Sequence, residues 1–477
     1  MQSQAFGSGF EGLEDRLLLA GNVTSVLAGG VLTLTGDAVA NQIQLTVGTN
    51  GHMVAKGMTG TTIDGLVSVD FGVVNTLTVL GGLGDDNVAL NHSGTTIAND
   101  VTLDGGDGND TISVTGKFGA DVIVLGGLGN DTIRVVNSIV SNATSTATDI
   151  NINSGEGNDS VTVTNCKVGH DVLVQTADGN DTVTVSALTI TNDLSLADTD
   201  INPASVPGND SVTIRDSKVG RDATISTGTG NDTVTATGLT ITDDLTLTDT
   251  AGTNSIRVAD STTRDDVILT LGTGNDTLTM TNVTSLGKVD VNLGDGSNVL
   301  SMSKTKAFGT VASTVLVFGD GIRVISGTGT DKIGIIESET AGVIRINSGD
   351  GTNRVELTRV TTTTRLGALD IVTGAGADGV RLDRLNIGGD SIVLTGLGDD
   401  IFTLINSRLI GDFDASLNAG DDLAYVGSNR FTSLLSYSFN GGLGGATLGF
   451  DTLRLGANTP VTLTAFLNFE VTLPASF

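Results

Sequence analysis

Cysteine occurs once in the 477 residues, at Cys166, so no disulfide can form within the chain. Tryptophan is absent and aromatic residues make up 3%, which leaves few side chains for stacking on sugars. Basic residues are scarce: 24 Lys and Arg against 54 Asp and Glu give a net charge of −30 and a pI of about 4.1. A nucleic-acid footprint needs a basic face, so that class is disfavoured, whereas a cation binder fits. Proline numbers only 4, which excludes a flexible Pro-rich chain. No run of 18 apolar residues exists, so no transmembrane helix is expected. The three histidines, His52, His92 and His170, show no zinc spacing. Cys166 and His170 lie in one turn without an orienting group for nucleophilic catalysis. There is no P-loop, and the G-x-G-x-x-G lookalikes recur with no helix after them.

What is present is repetition. The stretch Gly228-Thr229-Gly230-Asn231-Asp232-Thr233-Val234 returns in variants from about residue 81 to 446, usually every 22 residues. Asp210 to Asp232, Asp276 to Asn298 and Asp378 to Asp400 each span 22 residues. A second Asp often follows 12 residues after the motif Asp, as in Asp210, Asp222 and Asp232. Longer periods contain polar or turn-like additions such as Ser141–Thr146 and Asp200–Ala204, which read as loop insertions.

After each Asp comes a short alternating run, such as Thr182-Val183-Thr184-Val185 or Ser211-Val212-Thr213-Ile214. Period-2 alternation of β-branched residues signals a strand, and the glycine pairs permit positive φ in tight turns. One repeat is thus strand, turn, strand, turn, and cannot bury its apolar face alone. Stacked copies can, with equivalent strands about 4.8 Å apart. The expected fold is all-β, a parallel β-solenoid of about 22-residue coils.

Stacking would line up the motif aspartates in a column: Asp86, Asp110, Asp131, Asp159, Asp181, Asp210, Asp232, Asp276, Asp331, Asp378, Asp400 and Asp422. Two carboxylates about 5 Å apart repel by roughly 1 kcal/mol in bulk water and several times more at lower dielectric. Such a column calls for a cation. Ca²⁺ suits it, taking six to eight oxygens from carboxylates and from carbonyls of the kind Gly-rich turns expose. The alternative is that Asn-Asp shapes Asx turns, or that the Asn side chains ladder by hydrogen bonding. Asn254, Asn298 and Asn353 replace the Asp, and calcium there should be weak or missing.

The motif resembles the calcium-binding repeat of the hemolysin-type (RTX) family, G-G-x-G-N-D-x-U-x. The resemblance implies Ca²⁺ held between successive coils of a right-handed β-roll or β-helix by the motif Asp and turn carbonyls. That family places a calcium turn on both edges. Here the opposite turn reads Lys167-Val168-Gly169-His170-Asp171 or Lys218-Val219-Gly220-Arg221-Asp222, so one row of sites is the most expected.

Four segments are expected. Residues 1–21 contain Leu13-Glu14-Asp15-Arg16-Leu17-Leu18-Leu19, which resembles the LEPR-x-LL motif at the starts of exported planctomycete-type bacterial surface proteins, with Asp15 in the place of Pro. Residues 22–80 read as degenerate coils forming a cap, with Asn50-Gly51 as a turn or hairpin; residues 81–430 form the solenoid. The pattern is lost over 301–330, where Asn298 to Asp331 is 33 residues, one and a half periods. Residues 431–477 hold Phe439, Phe450, Phe466, Phe469 and Phe477, a cap that plugs the end.

These readings point to a secreted or bacterial cell-surface protein, a calcium-folded spacer or adhesive element. Its expected partners are calcium, copies of itself in a layer or fibre, or an extracellular polymer. The rivals are a polymer- or ice-binding solenoid face and a polysaccharide-cleaving β-helix. The enzyme would need a unique acid and Arg or Lys cluster. The paired carboxylates Asp85/Asp86, Asp243/Asp244, Asp265/Asp266, Asp399/Asp400 and Asp421/Asp422 repeat instead, so no enzyme is expected.

Overall fold

The computed structural model describes residues 21–431 apart from 93, 95, 142–148, 199–207, 310–318, 366 and 428. Beyond these it describes only the backbone of Tyr437–Asn440, Thr452–Leu455, Ala465–Leu467 and Glu470–Thr472. The export-like motif and most of the proposed C-terminal plug lie outside the described residues.

Among the described residues every regular element is a strand, and the strands stack as parallel coils in about 15 turns. One coil runs through Ala223–Ser226, Thr233–Thr237 and Thr240–Ile241, then re-enters the same path at Leu245–Thr248. Each strand pairs with its equivalent one coil on: Ala223 with Leu245, Val234 with Ile256, Thr240 with Thr262. The coil therefore has three faces, not the two that alternation suggests. Lys167–Val168, expected as a turn, is a third-face strand between Ile139–Val140 and Thr189–Ile190.

The third face exists because of a corner that carries little sequence signature. One residue after most second-face strands the backbone adopts the left-handed conformation, Gly116 being an exception. It does so at Asn137, Asn165, Ala187, Asp216, Asp260, Asn282, Lys304, Glu337, Arg359, Arg384 and Asn406, with φ of 49 to 56°. The next residue then points inward, so Cys166, Ser217, Leu239, Ser261 and Val283 are buried. Asn, Asp and Gly tolerate this conformation cheaply; Lys, Glu, Arg and Ala do so at a cost, and nothing in their sequence advertises it.

The core is a set of stacked columns. Val212, Ile214, Val234, Ile256, Val258, Leu278 and Met280 from the second face meet Ile225, Leu245, Leu247, Val267 and Leu269 from the first. Each fully buried Val, Ile or Leu contributes about 1.5–3 kcal/mol. Alternation put these residues inside, as expected.

Two irregular regions are clarified. Val299–Ser303 pairs in register with Lys332–Ile336, so the 33-residue interval is one coil carrying an insertion rather than one and a half coils. Residues 22–80 form antiparallel hairpins. Asn22–Ala28 pairs with Val31–Thr35, and Gln42–Val47 with His52–Gly57, Asn50-Gly51 sitting in the turn. Val31–Thr35 and Gln42–Val47 then accept the first coil in parallel, covering its open edge.

The turn glycines stand under one another. Gly252 has φ of 136°, and a Cβ there would collide with the carbonyl of Gly230, which bears the same relation to Gly208. We expect Gly252→Ala to cost at least about 2 kcal/mol and to strip amide-exchange protection from the coils around residues 230–274 first. Unchanged protection there would show that the close stacking does not bear on stability.

Candidate metal centre

The G-x-G-N-D corner joins the first face to the second. Its Asn points out and its Asp points in. All twelve motif aspartates line one internal column, none more than 5% exposed. Asp85/Asp86 and Asp399/Asp400 are therefore divided between solvent and interior, the first of each pair exposed and the second buried.

The column is a continuous ladder. The backbone N–H of each motif residue donates to Oδ1 of its equivalent in the following coil. It begins with Asn41 N–H to Asp86, runs through Asp110, Asp131, Asp159, Asp181, Asp210 and Asp232, and continues to Asp422, at 2.6–3.0 Å. Asn254, Asn298 and Asn353 take their turns through Oδ1. The outward Asn residues form a second ladder of opposite sense. Asn130 N–H donates back to Asn109 Oδ1, Asn158 to Asn130, Asn180 to Asn158 and Asn231 to Asn209, at 2.7–2.8 Å. The Asn ladder envisaged from the sequence is therefore present, and a second, unanticipated ladder uses one oxygen of each inner carboxyl.

The other oxygen is what the ladder leaves over. Oδ2 of Asp86, Asp110, Asp131, Asp159, Asp181, Asp232, Asp276, Asp331, Asp378 and Asp400 is buried and receives no hydrogen bond. The Asn coils show what faces that position. Asn298 Nδ2 donates to the carbonyls of Gly294 and Gly296 at 3.3 and 3.2 Å. Asn353 Nδ2 donates to those of Gly349 and Gly351 at 2.9 and 3.4 Å. By the shared register the matching carbonyls beside Asp232 are those of Gly228 and Gly230. An Asp coil thus turns a carboxyl oxygen toward two carbonyl oxygens without a hydrogen between them. A buried oxygen left so is costly while ionised, and a proton or a cation would relieve it.

In most coils the residue five positions before the motif Asp borders the slot, Leu271 and Leu417 being the apolar exceptions, and the sequence reading overlooked it. Gly81, Gly105 and Gly126 stand there in three coils, where a Cβ would strike Oδ2 of Asp86, Asp110 and Asp131. Elsewhere the position holds Ser154, Thr227, Ser326, Thr373 or Thr395, whose hydroxyls favour the charged form of the neighbouring Asp without completing a bond to Oδ2. At Asn254 the same position is Asp249, which accepts from Asn254 Nδ2 at 2.6 Å. There the carboxyl has moved by five residues while staying in the column. A small or hydroxyl-bearing residue at an offset of five, broken by Leu271, Leu293 and Leu417, was the available signal.

Burial raises the column's pKa values. Asp86 and Asp400 are pushed up to about 6, Asp131 and Asp181 to about 7, with the neighbouring carboxylates Asp110, Asp378, Asp159 and Asp210 adding to the effect. Asp110, Asp159, Asp276, Asp331 and Asp378 shift the same way through burial. Asp249 rises to about 7 through burial and the adjoining Asp232.

A second acidic file runs along the corner between the third and first faces. Asp193 donates its N–H to Asp171 Oδ1, and Asp222, Asp244, Asp266 and Lys288 follow in order at 2.8–3.1 Å. Carboxyl oxygens of Asp244, Asp265 and Asp266 lie within 4.8 Å of one another, with Asp265 exposed. This file faces water, unlike the buried column.

A non-repeating charged cluster on the second face also escaped the sequence reading, because its members lie on different coils. Glu356 bridges Arg354 and Arg381 at 3.3 and 3.6 Å, and Asp383 joins Arg381 to Arg384 at 3.3 and 2.9 Å.

No protein-family model matches the chain, and comparison with curated proteins and with solved structures returns no match.

Proposed function

We propose that the buried column binds calcium, and that the protein is a secreted or cell-surface β-solenoid whose calcium-locked coils serve as a structural spacer or adhesive rod. The observation that carries this reading is the row of buried Oδ2 atoms without donors, set against glycine carbonyls. Each Asp coil offers Oδ2 and two carbonyls. Two successive coils double that set, reaching the six to eight oxygens that Ca²⁺ takes. Asp86 to Asp232 is the longest uninterrupted run, and Asp378 to Asp422 the next. Asn298 and Asn353 fill the slot with their own amides and interrupt the row. The single cysteine, the net charge of −30 and the export-like N-terminal motif agree with folding where calcium is plentiful. Binding would then contribute directly to folding.

The same geometry favours one other reading, in which the carboxyls are protonated and donate to the carbonyls as the Asn amides do. Equilibrium dialysis of the full chain with elemental analysis separates the two. Several calcium ions retained per chain against excess Mg²⁺ support the calcium column. Retention of none, with infrared bands of protonated carboxyls at pH 7, assigns the column to protons.

A further inference from the structure

The outer side of the second face changes character along the rod. From Ser160 to Thr281 it presents mainly Thr and Ser. Further on it carries Lys332, Arg354 and Arg381, three of the nine Lys and Arg that fall between Arg323 and Arg408. Within that stretch Arg354, Gly379 and Ile401 occupy one outward column, and Glu356, Arg381 and Thr403 the next. Gly379 opens a depression of about 410 Å³, lined by Arg354, Arg381, Ile401, Thr352, Thr403 and Asp399 among others.

Gly379 is not required by the backbone. Its φ is not positive, and an added Cβ would meet only the Asn353 carbonyl, at 4.0 Å. Gly379 opens its strand, and a glycine there without a steric reason leaves room for another molecule to approach closely. The walls suggest what. Two guanidiniums are pre-positioned by one shared carboxylate, Glu356, and planar guanidinium forks match carboxylate and sulfate oxygens. Ile401, 54% exposed, supplies an apolar wall, and Thr352 and Thr403 supply hydroxyls.

We propose that the depression over Gly379 binds an acidic sugar unit of an extracellular polysaccharide, its carboxylate or sulfate on Arg354 and Arg381 and its ring against Ile401. Recognition is by charge and shape rather than by aromatic stacking, consistent with the absence of tryptophan. The volume lies within the range of small-ligand sites, about 300–1,000 Å³. The depression opens on the outer side of the second face, but Asn353 and Asp378 of the buried column also border it, so binding is compared at one fixed calcium content.

The test is affinity electrophoresis and calorimetry of the full chain, at fixed calcium content, with polygalacturonate, dextran sulfate and neutral dextran. Binding to one or both polyanions and none to dextran is expected, and the two polyanions separate carboxylate from sulfate recognition. Arg354→Ala and Gly379→Val should each weaken binding at least tenfold. Gly379→Val is decisive because it fills the depression while improving the strand, so its melting midpoint should hold or rise. Loss of binding with retained stability supports the site. Absence of polyanion binding, equal binding to neutral dextran, or polyanion binding unaffected by Gly379→Val overturns it. So does Arg354-dependent self-association in place of glycan binding.

Discussion

In excess chelator, the thermal midpoint of this protein rises as the pH is lowered from 8 to 5. The column aspartates have folded-state pKa values above their unfolded ones, reaching about 6 for Asp86 and Asp400 and about 7 for Asp131 and Asp181. A carboxyl of this kind favours the folded state while protonated. Its contribution is complete below the unfolded pKa near 4 and is lost as pH climbs through the folded value. Without metal, the column is therefore least stable in the alkaline half of the range. On the proposed calcium reading the slope reverses with Ca²⁺ present, since the ion would bind the ionised form and compete with protons. At a hundredfold excess over Kd each site adds about 2.7 kcal/mol. About eight sites acting together would add on the order of 20 kcal/mol, and since each kcal/mol moves a protein of this size by about 1 °C, they should raise the pH 8 midpoint by ~20 °C. Circular dichroism melts at pH 5 and pH 8, with chelator, Ca²⁺ or Mg²⁺, check this. A midpoint insensitive to calcium at pH 8 would sink the metal reading. A chelated midpoint that falls on acidification would sink the account of the buried carboxyls as well.

The second large effect is a reversal of rank between two substitutions. Replacing Asp131, Asp159 and Asp181 together with Asn keeps the Oδ1 ladder and supplies an Nδ2 donor to the turn carbonyls, as Asn298 and Asn353 already do. In chelator at pH 8 this triple variant should melt well above the parent chain, because three buried carboxylates become satisfied amides. In millimolar calcium it should melt below the parent and retain fewer ions. The corresponding triple Ala variant breaks the ladder, leaving the N–H groups of Asp110, Asp131 and Asp159 without acceptors. At about 1–3 kcal/mol for each buried donor it should be destabilised under both conditions. If Asn and Ala variants behave alike in chelator, the Asn coils are a poor guide to what the slot requires.

Much of this was legible in the sequence, for physical reasons that can be named. Strands such as Thr233–Thr237 were visible because alternation has the period of the pleat, and the stacking followed from the 22-residue interval. The alignment of Asp86 through Asp422 followed from the same interval. The third face was hidden because its corner rests on backbone conformation at residues as unalike as Ala187, Lys304 and Arg359. The inward turn of the aspartates was hidden too. Asn-Asp pairs read as polar, and only stacking decides which member enters the core. Residues five positions upstream, from Gly81 to Thr395, gave no alarm, being ordinary small residues in ordinary strands. The Arg354–Glu356–Arg381 cluster needed the register, because its members meet across coils.

The two ladders of opposite sense also make the coils interchangeable parts. Each coil offers its N-terminal neighbour an inner carboxyl oxygen and its C-terminal neighbour an outer amide oxygen, and receives the complement from both. The joint is the same wherever a regular coil meets another. Removing residues 233–254 would bring Asp232 against Ser255–Asp276, where the same contacts can re-form. The rod would shorten by about 4.8 Å, one strand spacing. Its length is thus a quantity set by the number of coils and separable from its stability per coil, so reach can be adjusted by whole repeats without redesigning any interface.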